Sequence, residues 1–256
     1  MKSDQASKPL HSATVREIRF LREYTTFSCR QPVAVAEAIF PSLLKARSDQ
    51  EFDRVAYLLL ALHSELVRSC EAAGALLRAL SPMNEYGGII EGMLRYKPGQ
   101  IPRFVDALAE ATDWLIFLGL PSAEAVSKAF NVDAEAESYT NKGVREVLGS
   151  FVRIYQSEGV KEAHNKLKHG LMLIRHPDLI SDDQKDPRTI EGDRVFLILN
   201  ERCASFPVSS QKALDMAQGY VAHIRRVSEI IAFFARLAAD CLDAGLHLGE
   251  LKNGKE

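Results

Sequence analysis

Apolar residues recur at steps of three and four along Phe52, Val55, Leu59, Leu62, Leu66, Cys70, Ala73, Leu77 and Leu80. That spacing predicts one long amphipathic helix from Phe52 to Leu80. Ser48 followed by Glu51 has the form of a capping box at its start, and Ser81-Pro82 marks its end because proline disfavours helix in the residue before it. A second stripe, Leu214, Ala217, Val221, Ile224, Val227, Ile231, Phe234, Leu237 and Cys241, predicts a helix from about Ser210 to Leu246. At ~1.5 Å per residue it exceeds about 50 Å, a length that points to projection, a kink or packing against a partner chain. Shorter helical stretches are predicted near Thr14 to Thr26, Val33 to Leu44, Gln100 to Leu118, Ala123 to Phe130, Lys142 to Glu158 and Val160 to Arg175, with Gly, Pro, Asn and Asp between them.

One stretch departs from this period. In "RTIEGDRVFLILNE", the apolar, β-prone run Val195 to Leu199 follows a Glu191-Gly192-Asp193 turn, which predicts a small hairpin. An isolated hairpin is only marginally stable, so this one needs cover from helices or another subunit. The expected fold is therefore all-α: a helical bundle with a small β-hairpin insertion before a long C-terminal helix. Residues 1–47 are expected as an N-terminal helical segment capping a bundle over 48–256, the whole forming one continuous domain.

Composition narrows the functional classes. With 46% hydrophobic and 26% charged residues the chain can bury a core, and its formal net charge of -2 supplies no global basic field for nucleic acid. Any such binding needs a local basic patch. The cysteines, Cys29, Cys70, Cys203 and Cys241, are scattered without zinc-site spacing and read as reduced, mostly buried thiols. No metal ligand set and no cofactor motif is read. The start, "MKSDQASKPLHSA", lacks the apolar core of a signal peptide, and "WLIFLGL" is too short to span a bilayer, so no membrane association and a cytoplasmic location are expected.

The local patch lies in "KEAHNKLKHGLMLIRH", Lys161 to His176, which holds three of the seven histidines. On a helix, Val160, Ala163, Leu167, Leu171 and Ile174 form an apolar stripe that orients the rest. His164 then lies beside the stripe, while Asn165, Lys166 and His169 project together from another face. A neutral imidazole accepts a proton from a hydroxyl, its conjugate acid returns one to a leaving group, and a neighbouring lysine or amide holds phosphate. Those parts suffice to cleave RNA without a metal, because the 2′-hydroxyl is the nucleophile. Lys161, Lys166, Lys168 and Arg175 add the cationic surface that the net charge lacks.

The stretch "HNKLKHG", His164 to Gly170, followed by a long final helix, resembles the HEPN superfamily of higher eukaryote and prokaryote nucleotide-binding domains. That superfamily is all-α, and its ribonuclease members carry arginine, a polar residue that is often asparagine, a short spacer and then histidine, near the start of a helix that meets its twin in a dimer. Asn165 matches the polar position and His169 the histidine; His164 stands where the arginine belongs. The resemblance implies a homodimer that targets RNA, its ribonuclease form acting as a toxin or anti-phage effector, with His169, Asn165 and His164 as the catalytic set and Lys161, Lys166, Lys168 and Arg175 as RNA contacts. Near pH 7 imidazole is mostly neutral and lacks the guanidinium fork, so the alternative is a catalytically inactive helical module that binds a protein partner or nucleic acid.

Plainer readings stand beside this one. A lysine-rich helix face is commonly just solvated, and a histidine beside an apolar stripe is commonly structural. His63, on the apolar face of the Phe52 helix, reads as a buried structural histidine. "NEYGGIIEG", Asn84 to Gly92, lacks the lysine of a phosphate loop and reads as a flexible turn, and Asp182, Asp183 and Asp186 read as an exposed linker.

Overall fold

A computed structural model of the chain describes residues 12–97, 99–131, 134–157, 160, 173–174, 194–199, 202–208, 211–246 and 248. Helices dominate: α1 (Ser12–Thr26), α2 (Gln31–Ser48), α3 (Phe52–Leu80), α4 (Ile89–Arg95), α5 (Gln100–Glu110), α6 (Trp114–Phe117), α7 (Ala123–Phe130), α8 (Ala134–Ser157) and α9 (Gln211–Asp243). The described residues between α8 and α9 include short extended segments, Leu173–Ile174, Arg194–Leu199 and Arg202–Pro207. The fold class is all-α, as the periodicity predicts.

The α3 bounds coincide with the apolar stripe, and every stripe residue from Val55 to Leu80 is buried. The expected capping box does not form. Ser48 is the last residue of α2, Gln50 takes a left-handed φ of 60°, and the Glu51 carboxylate pairs with Arg54 at 2.9 Å. A chain reversal of three residues, Asp49 to Glu51, thus separates α2 from α3, leaving Ser48 no room to act as a cap. The segment expected as one helix from Gln100 to Leu118 is two, because Ala111 is extended and Asp113 caps a new turn, its carboxylate accepting from the Ile116 N–H at 3.0 Å.

Internal contacts divide the chain into two compact units, each assembled from separated stretches. One comprises residues 1–28, 74–147 and 231–256. Its core includes Leu21, Leu76, Leu77, Ile101, Phe104, Leu108, Leu118 and Phe234. Within it Gly74 lets α5 approach α3: a Cβ there would stand 2.5 Å from Ile101 Cγ2. Phe104 and Phe117 join α5 to α6 with ring centroids 5.6 Å apart, and Arg22 of α1 pairs with Asp243 of α9 at 2.6 Å.

The other unit comprises residues 29–73 and 148–230. Leu43, Val55, Leu59, Leu62, Leu66, Phe151, Tyr155, Ile224 and Val227 fill its core. His63 is 4% exposed, and its ring packs 5.3 Å from that of Tyr220 on α9. Arg225 of α9 reaches Glu37 of α2 at 2.8 Å.

Cys29, Cys70 and Cys241 are buried thiols; the Cys203 side chain lies outside the described residues. Burial pushes the Cys241 thiol from its ordinary 9.0 up to about 11, and the neighbouring Asp240 charge adds to the effect. The fold therefore favours the protonated thiol. That contribution to stability is fully present below pH 9 and is lost as pH rises through about 11. With iodoacetamide at pH 8, the peptides carrying Cys29, Cys70 and Cys241 should stay unlabelled until denaturant is added, as peptide mass mapping would show. Labelling of Cys241 in the native protein would contradict its burial.

Candidate functional site

The residues that the sequence singles out for RNA chemistry, His164, Asn165 and His169 with Lys161, Lys166, Lys168 and Arg175, lie outside the described residues, as do Asp182, Asp183 and Asp186. Two described residues bear on their segment. Val160, the first member of the proposed stripe, is helical and buried. Leu173 and Ile174 are extended. The expected helix from Val160 to Arg175 therefore does not run through Leu173 and Ile174.

The most developed polar construction among the described residues is the connection from α3 to α4, Ser81 to Gly88, which the sequence reading takes for a flexible turn. Asn84 holds it from within. Its Nδ2 donates to the carbonyls of Ala79 and Gly88, both at 2.9 Å, and its Oδ1 accepts from the Tyr86 N–H at 3.1 Å. Ser81 Oγ donates to the Arg78 carbonyl at 2.8 Å and accepts from the Met83 N–H at 3.2 Å. From α1, Glu17 Oε1 accepts the Ile89 N–H at 2.6 Å, closing the open N-terminus of α4 where Gly88 offers no side chain for the task. The spacing of Asn84 and Gly92 is part of the device, because a Cβ on Gly92 would stand 2.6 Å from Asn84 Oδ1.

This loop borders a cavity of about 320 Å³, lined by Glu17, Ser81, Asn84 and Gly88 on its polar side and by Leu80, Ile89, Leu242 and Leu248 among its apolar members. Asn84 could have been singled out from sequence as a turn-forming side chain between Ser81-Pro82 and Gly87-Gly88. Glu17 could not, since nothing in its own helix marks a contact 72 residues away. Among the described residues no group of three or more His, Cys, Asp or Glu side chains is placed to hold a metal ion, and no helix is long and apolar enough to cross a membrane.

In comparisons with known proteins, no family model, no curated protein and no solved structure matches this chain.

Proposed function

We propose that the chain is a HEPN-like helical protein that targets RNA through the segment carrying Lys161, Asn165, Lys166, Lys168, His169 and Arg175. The observation that carries this reading is a conjunction in the sequence: Asn165 and His169 stand one helical turn apart among four cations, upstream of a helix of 33 residues. The all-α architecture supports it, as does the burial of Val160, the first residue of the predicted apolar stripe. In the catalytic form of the reading, His169 moves the proton, Asn165 orients the phosphate or the imidazole, and Lys166 with His164 offsets developing charge, as in a toxin or defence ribonuclease. His164 in place of the family's arginine favours a second reading, in which the same face binds RNA or a protein partner without cleaving.

The hairpin and the dimer belong to the same proposal. The ladder pairs Arg194 with Pro207 and Leu199 with Arg202, so a hairpin ahead of α9 would reverse after Leu199 and not at the expected Glu191-Gly192-Asp193 turn; Leu173 pairs with Leu197. The length of α9 and the family's shared site favour a homodimer, which should sediment at about twice the chain mass.

Fluorescence anisotropy with a labelled single-stranded RNA tests the RNA reading. Affinity should fall with salt, and replacing Lys161, Lys166 and Lys168 together by alanine should weaken binding and flatten the log-log salt slope by about 2, given ~0.7 per phosphate contact on single strands. An affinity and slope unchanged by the triple substitution, or no binding at low salt, would remove RNA as the ligand of this face.

A further inference from the structure

Arg78 is a residue that the RNA reading does not use. It sits two residues before the end of α3, is 2% exposed, and belongs to a stretch, Ala73 to Leu80, that is buried throughout. Leucine or methionine would fill such a position at little cost. A guanidinium there is expensive unless it is closely paired and fully hydrogen-bonded. Its pairing is incomplete. Nη2 lies 4.0 Å from Glu85 Oε1, beyond hydrogen-bond reach, and the Glu85 side chain is 68% exposed. The Tyr86 ring centroid lies 5.9 Å from the guanidinium carbon. Nη1 is buried with no hydrogen-bond partner among the described residues.

We propose that Arg78 is an oxyanion receptor, taking the carboxylate or phosphate group of a small ligand, and that Glu85 is a displaceable internal substitute for that group. An exposed carboxylate at 4.0 Å is held weakly, because solvent and salt screen it. An incoming oxyanion can do what Glu85 does not, engaging Nη1 and Nη2 together in the fork geometry that arginine is shaped for. Tyr86 covers the cation and steadies it through its ring face. The loop can release Glu85 without unravelling, since Asn84 fastens it on both sides, to Ala79 before and to Gly88 after. The proposal stands apart from the RNA face, and neither depends on the other.

Thermal melting of the full chain tests it, with millimolar inorganic phosphate or acetate added against sodium chloride at matched ionic strength. Either anion should raise the melting temperature above the chloride control; phosphate alone would indicate a phosphate-bearing ligand, and acetate a carboxylate-bearing one. Glu85→Gln removes the competitor and should lower the anion midpoint by about 2- to 5-fold, the range expected for losing one exposed ion pair. Arg78→Met should abolish the response while melting no lower than the parent without anion, since a buried charge is exchanged for an apolar chain of similar length. The proposal is overturned if neither anion exceeds chloride or if Arg78→Met retains the response. Should Arg78→Met not fold, Glu85→Gln decides alone, and an unchanged midpoint counts against the receptor.

Discussion

Replacing His169 by alanine is expected to lower RNA cleavage by ~10²- to 10⁴-fold, the usual worth of a positioned acid or base, with the protein still folded. On the helix that the sequence predicts, His169 falls off the stripe of Val160, Ala163, Leu167 and Leu171, so its loss should leave the packing face intact. On that helix it shares a face with Asn165 and Lys166, so RNA affinity should change much less than rate. In the proposed reaction the 2′-hydroxyl is the nucleophile and imidazole moves the proton, so cleavage should persist in chelator. His164→Arg, which restores the family pattern, should raise the rate, since a guanidinium stays charged where imidazole near pH 7 is mostly neutral. If His169→Ala unfolds the protein, the histidine is a packing residue. If RNA stays uncut by both the parent and His164→Arg, the face binds without catalysing.

The largest effect on stability is expected from Phe104→Ala in α5, about 3 to 5 kcal/mol by urea denaturation. Phe104 is fully buried, and its ring meets Phe117 of α6, so truncation removes transfer free energy and leaves a cavity between α5 and α6. The reverse change nearby should also destabilise. Gly74→Ala gains up to ~1 kcal/mol of helix propensity, yet its Cβ would stand 2.5 Å from Ile101 Cγ2, an overlap costing about 1 to 3 kcal/mol. Ile101→Ala is itself costly, at about 2 to 5 kcal/mol, but Gly74→Ala should cost less in its background than in the parent, and a double-mutant cycle would measure the coupling. Additive effects would mean that α5 is free to move away from α3.

Much of the helical plan is legible in the sequence because long apolar stripes have one physical interpretation. The stripe from Phe52 to Leu80 gives α3 to the residue, and the stripe through Leu214 and Cys241 gives α9 to within three residues at its end. Ends and breaks are less legible. Ser48 and Glu51 satisfy a capping pattern that the reversal at Gln50 leaves unused, and the apolar content of Gln100 to Leu118 hides a break that depends on the backbone at Ala111 and a cap at Asp113. The loop at Asn84 is legible in part. Its glycines and asparagine announce a turn, whereas its order comes from Glu17 and from a carbonyl of α3, neither of which the local residues predict. Arg78 is the least legible, since an arginine near a helix end ordinarily faces water, and only its packing reveals the buried charge. For the RNA face the case is the motif itself, His164 to Gly170.

Ultraviolet crosslinking of the full chain to a single-stranded RNA, followed by peptide mapping, tests the central claim most directly. Crosslinks should concentrate between Lys161 and Arg175, and should fade when Lys161, Lys166 and Lys168 are replaced together by alanine. Crosslinks that fall elsewhere and survive that substitution would contradict it.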